Sequence, residues 1–71
     1  MAVQVEAHIT GTVFRIETSV GAQVTAGEVL VVIESMKMEM PVEAPRAGRV
    51  TAVRVEEGQS VEEGDVLVVL D

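Results

Sequence analysis

Short apolar stretches and glycine-centred polar turns alternate along this chain, and no segment sustains a helical period over ten residues. The pattern predicts strands near residues 3–8, 11–18, 22–25, 29–34, 38–43, 48–56, 60–62 and 66–70, and essentially no α-helix. Two of these, VLVVI and VLVVL, are apolar runs bounded by acids, of a length typical for strands in a sandwich core. In the two longest stretches the alternation slips. Val13 and Ile16 are three apart, as are Val50 and Val53, which predicts a bulge or bend in each strand.

The slips recur because the chain repeats itself. Shifted by 37 positions, residues 5–34 fall on residues 42–71 with 12 identities in 30 positions and no gap. Three glycine pairs coincide: Gly11 with Gly48, Gly21 with Gly58, and Gly27 with Gly64. The glycines of SVGA, EEGQ, TAGE and EEGD mark turns that need a positive φ or tight packing. Two copies of a four-strand unit around one core predict an all-β fold. It is a flattened barrel or sandwich of two four-stranded antiparallel sheets with a quasi-twofold axis. Residues 1–71 are read as a single domain, with repeat halves 5–34 and 42–71 and a hairpin tip over 35–41. The axis places the chain ends together at the end opposite this tip.

Composition narrows the function. Valine supplies sixteen residues and Phe14 is the single aromatic, which suits pleated strands and argues against base or carbohydrate stacking. The formal charge of −7 disfavours nucleic acid and anionic membranes as partners. Without cysteine there is no disulfide, thiol catalysis or cysteine-based zinc site, and one histidine cannot build a multi-histidine metal centre. No apolar run approaches the ~18–20 residues that cross a bilayer, and the N-terminus does not read as a signal peptide. A cytoplasmic, monomeric domain is the default expectation.

The junction between the halves carries the candidate chemistry. ESMKMEMP, residues 34–41, holds Lys37, the only lysine, and three of the four methionines. Short hairpins favour glycine or Asn-Gly pairs because their turns require positive φ. This junction has neither, so Met36 and Lys37 at the central positions incur roughly 1 kcal/mol each. A sequence that obeys turn chemistry elsewhere and departs from it here points to function. On spacing alone, the methionines fit equally well as strand residues packed on the core, with Lys37 a solubilising turn residue. An ordinary lysine amine is protonated at neutral pH and makes a poor general base. Acylated by another enzyme, it becomes a swinging arm on a rigid support.

Residues 34–41 resemble the attachment motif of the biotinyl/lipoyl domain family, whose core is Met-Lys-Met. The resemblance extends over nearly the whole chain, through the repeat, the GxxVxxG spacings and the terminal VLVVL. It is similar to the small free-standing biotin carboxyl carrier-like proteins. That resemblance implies a non-catalytic carrier, with biotin joined to Lys37 by a biotin protein ligase through biotinyl-adenylate. Met36 and Met38 would form the flanking recognition surface. A carboxyl group would then move from a biotin carboxylase to a carboxyltransferase, onto an acyl-CoA or keto acid. Methionine on both sides favours biotin over lipoate. Three departures from the family pattern stand out. EAHITG replaces a proline-containing stretch, with His8 read as a turn residue and not a ligand. No thumb-like insertion lies between Gly11 and Gly27, and no proline/alanine linker precedes the first strand. The competing readings are a lipoyl carrier of a dehydrogenase or glycine-cleavage-type complex, and an unmodified scaffold domain.

Overall fold

All of residues 1–71 are described by the computed structural model, which contains eight strands and no helix. In chain order they are β1 (Val3–Glu6), β2 (Gly11–Ile16), β3 (Gln23–Val24), β4 (Val29–Ser35), β5 (Met38–Glu43), β6 (Gly48–Val53), β7 (Ser60–Val61) and β8 (Val66–Leu70). They form two antiparallel four-stranded sheets, ordered β1-β8-β6-β3 and β5-β4-β2-β7. Each sheet takes two strands from each repeat half. Neither half can therefore close a sheet by itself, and the halves interlock.

The registers obey the repeat. Val3↔Leu70 and Val5↔Val68 in the β1–β8 pair become Met40↔Ile33 and Val42↔Val31 in the β5–β4 pair. The slips predicted from Val13/Ile16 and Val50/Val53 are present. Ladder pairing skips Phe14 between Val13 and Arg15, and Thr51 between Val50 and Ala52. Two further irregularities explain why VLVVI and VLVVL are apolar throughout. Pairing passes over Leu30 and Leu67, and the local bulge turns each leucine toward the same interior as the valine that follows it. Leu30, Val31, Leu67 and Val68 are all fully buried.

Several strands end earlier than the sequence pattern suggests. β1 stops at Glu6 because Ala7 leaves the ladder, donating to the Asp65 carbonyl and accepting from the Gly64 amide. β2 and β6 stop at Ile16 and Val53, where single bonds from Glu17 to the Leu30 carbonyl and from Arg54 to the Leu67 carbonyl close the ladder.

One cluster of 15 buried residues, all aliphatic, fills the space between the sheets. No polar or charged residue is buried. With a core this small, truncating one of its leucines to alanine costs about 2–5 kcal/mol, a large share of the margin of a short domain.

The molecule measures 32 × 18 × 17 Å. Its long axis runs from the β4–β5 turn at one end to the chain ends at the other. The topology requires this: the link 7–10 carries the chain from the far end of β1 to the start of β2, which lies beside the β4–β5 turn. At the opposite end, the Arg46 guanidinium donates to the carbonyls of Met1, Ala47 and Asp71, tying both termini together.

Candidate functional site: a lysine at a hairpin tip

β4 and β5 stay paired from Val29↔Glu43 to Ser35↔Met38, leaving only Met36 and Lys37 to turn the chain. Both carry left-handed backbones, with φ of 53° for Met36 and 64° for Lys37. These are the only positive-φ residues other than glycine. Positive φ at both central positions is the requirement of a type I′ hairpin turn, so the disfavoured geometry predicted from the sequence is present. It costs an ordinary L-residue roughly 1–2 kcal/mol. The other sharp turns avoid this cost by using glycine, as at Gly21 (φ 94°) and Gly58 (φ 91°).

The hairpin is held from one side by β2, and Gly11 makes that possible. A Cβ at Gly11 would collide with the Glu34 carbonyl oxygen and come within 2.8 Å of Ile33 Cγ2. Only glycine lets the two backbones approach this closely just below the turn. Sequence reasoning paired Gly11 with Gly48 but did not see this role. The signal was there, in a glycine that recurs in both halves where no turn is needed.

Strand periodicity arranges the methionines. Met38 and Met40 alternate with Glu39 and Pro41, and so share a face with Val42, which is buried at 2% exposure. β5 is an edge strand, and its cover falls away toward the tip. Exposure therefore climbs from 36% at Met40 to 62% at Met38 and 90% at Met36. The core-packing alternative thus fails for Met36 and Met38. They form an apolar ledge on both sides of Lys37.

Lys37 itself is exposed and makes no ion pair; the only one in the chain joins Arg15 and Glu17, 3.8 Å apart. Below it, Glu34 and Glu39 stand directly opposite each other, both exposed. Like charges in this position are mildly destabilising and give the neck of the tip a negative field. His8 lies exposed in the link between β1 and β2. No group of three or more histidine, cysteine or carboxylate side chains could hold a metal ion. No helix is long and apolar enough to cross a membrane.

The structure is a twofold sandwich that presents its one lysine on a strained two-residue tip. The chain belongs to the biotin/lipoyl family described as "Biotin-requiring enzyme", whose sequence model matches residues 1–70. Among its relatives, the "Biotinylated protein TB7.3 homolog" of Mycobacterium leprae (strain TN) is 50% identical over 44 residues, 62% of each chain. "Biotinylated protein TB7.3" of Mycobacterium tuberculosis (strain ATCC 25618 / H37Rv) is 46% identical over 44 residues, again 62% of each. The matched stretch thus spans under two thirds of these relatives. Two solved structures contain a closely similar fold. One is a single-chain, multi-domain long-chain acyl-CoA carboxylase, at TM-score 0.91 and 41% identity over 96% of this chain and 7% of that one. The other is the urea carboxylase of Kluyveromyces lactis, at TM-score 0.94 and 34% identity over 100% of this chain and 6% of that one.

Proposed function

We propose that Lys37 is the attachment point for biotin and that the domain carries a carboxyl group between two separate active sites. The observation that carries this reading is the tip itself: the sole lysine, exposed and unpaired, at a turn whose backbone no folding requirement explains. The residues fit the group. Biotin needs one acylable amine held clear of the fold, and the Lys37 Nζ is the only side-chain amine available. In the attachment step Nζ forms an amide with the activated carboxyl of biotinyl-adenylate, the acyl–phosphate bond breaks and AMP leaves, and the ammonium gives up two protons, one to become nucleophilic and one on acylation. A biotin protein ligase supplies the catalysis, since the chain offers no nucleophile–base pair. When bound, biotin supplies an acceptor and donor for the carboxyl group.

The chain's own residues hold and present that arm. The β4–β5 ladder and the close approach of Gly11 fix the tip, so conformational freedom is confined to the lysine side chain. Met36 and Met38 offer flexible apolar contacts that can fit more than one partner. The partners are the ligase, a biotin carboxylase and a carboxyltransferase, and the domain is a carrier subunit and not a catalyst. Methionine on both sides of Lys37 supports biotin over lipoate.

Intact mass of the chain after incubation with a biotin protein ligase, biotin and ATP tests the assignment. One biotinyl group is expected, with peptide mapping placing it on Lys37, and Lys37→Arg is expected to remain unmodified. An avidin-reactive Lys37→Arg chain would overturn the site; a lipoyl adduct on protein from its native host would overturn the cofactor.

A further inference from the structure

The side chains most easily oxidised by peroxide are distributed very unevenly. The chain has no cysteine, tryptophan or tyrosine, and its four methionines are Met1, Met36, Met38 and Met40. Three of the four surround the one lysine. Their exposures are 90% at Met36, 62% at Met38 and 36% at Met40, while Met1 is fully exposed at the opposite end of the molecule. With no thiol to act as an internal sink, oxidation of this protein by peroxide falls on Met1 at the far end and on the surface beside Lys37. Sequence reasoning reads those methionines as a recognition surface. The fold adds that Met36 and Met38 are largely open to solvent and that no methionine belongs to the buried cluster.

We infer that Met36 and Met38 form a peroxide-sensitive modification site, at which conversion to the sulfoxide blocks use of Lys37 while leaving the fold intact. This rests on the reading of Lys37 as the biotin attachment point. In the reaction the thioether sulfur attacks one peroxide oxygen, the O–O bond breaks and an S–O bond forms. The sulfur is oxidised by two electrons, and the peroxide is reduced to water or an alcohol. Thiol-dependent sulfoxide reductases reverse it, releasing water as two thiols become a disulfide.

The effect follows from polarity. A sulfoxide replaces a soft apolar group with a polar, chiral one, which removes the contacts an apolar docking surface supplies. The tip then carries two polar groups above the Glu34 and Glu39 carboxylates. The sheets are untouched, because the buried cluster contains no methionine. The graded exposure gives an order: Met36 and Met38 oxidise ahead of Met40, and Met1 oxidises without consequence.

The test exposes the unmodified chain to graded hydrogen peroxide, maps the sulfoxides by peptide mass, and measures initial rates of biotinylation by a biotin protein ligase. Backbone integrity is followed by amide hydrogen exchange. The expected result is a loss of at least tenfold in rate that tracks the Met36 and Met38 sulfoxides, keeps native exchange protection, and is restored by sulfoxide reductases. The Met36→Leu/Met38→Leu variant, compared with its own untreated rate, should change less than twofold on peroxide treatment. Met40→Leu should remain as sensitive as the parent. A doubly oxidised tip modified within twofold of the untreated rate would overturn the inference, as would a loss seen only together with loss of exchange protection. If the untreated chain takes no biotin on Lys37, the functional reading fails and this inference with it; normal untreated modification with no peroxide effect sinks the inference alone.

Discussion

Replacing Met36 by asparagine separates the folding role of the tip from its recognition role. Met36 sits at φ 53°, a backbone that costs an ordinary residue roughly 1–2 kcal/mol, while asparagine tolerates it better and is favoured in type I′ turns. Little packing is lost in exchange. The side chain is 90% exposed, so only about a tenth of the ~1.5–3 kcal/mol of a buried methionine is at stake, roughly 0.2–0.3 kcal/mol. The net expectation is stabilisation of about 0.5–1 kcal/mol. At ~4–8 °C per kcal/mol for a domain of this size, Tm should rise by roughly 2–8 °C. Modification should move the other way, because the exposed thioether on one side of Lys37 is gone; a severalfold slower initial rate with the ligase is expected. Thermal unfolding by circular dichroism and single-turnover biotinylation measure the two quantities on the same preparation. A lower Tm would refute the backbone argument. A higher Tm with unchanged modification would show that Met36 is not kept for recognition.

Gly11→Ala should destabilise by about 1–3 kcal/mol through overpacking against Ile33 Cγ2 and the Glu34 carbonyl, and should slow modification of Lys37. Gly48→Ala is its control, since the added Cβ meets the Asp71 carbonyl oxygen at 2.7 Å at the other end. It should destabilise comparably in urea unfolding while leaving the modification rate of the folded protein unchanged. Thr18→Val should stabilise by about 1 kcal/mol, seen as a higher urea midpoint, because the Thr18 hydroxyl is buried without a hydrogen-bond partner. Its counterpart in the second half is Val55, already buried at 7% exposure.

The eight strands, the two repeated halves around one core and the place of Lys37 were legible in the sequence, for specific physical reasons, whereas the exchange of strands between the halves was not. Strand faces have a period of two, so the three-residue gap at Val13/Ile16 could be read as a bulge before any register was known. The repeat located the junction, and the missing glycine in it exposed the strained turn. Strand ends were less legible. Whether Ala7 continues β1 depends on the Asp65 carbonyl and Gly64 amide, partners nearly sixty residues away that local pattern does not encode.

Sequence pattern alone therefore determined the fold class of this protein, its symmetry and the residue at its tip, because alternation, turn chemistry and repetition are all read along the chain. Exposure and close approach were decided only by the tertiary structure. Met38 and Val42 lie on the same face of the same strand, yet one is 62% exposed and the other 2%. The difference is how near each lies to the hairpin tip at the end of an edge strand. Gly11 likewise looks like any other glycine until β4 is laid against it. Both distinctions depend on where a strand ends or meets another in space, and it is there that an apolar stripe stops being core and becomes a surface beside the lysine.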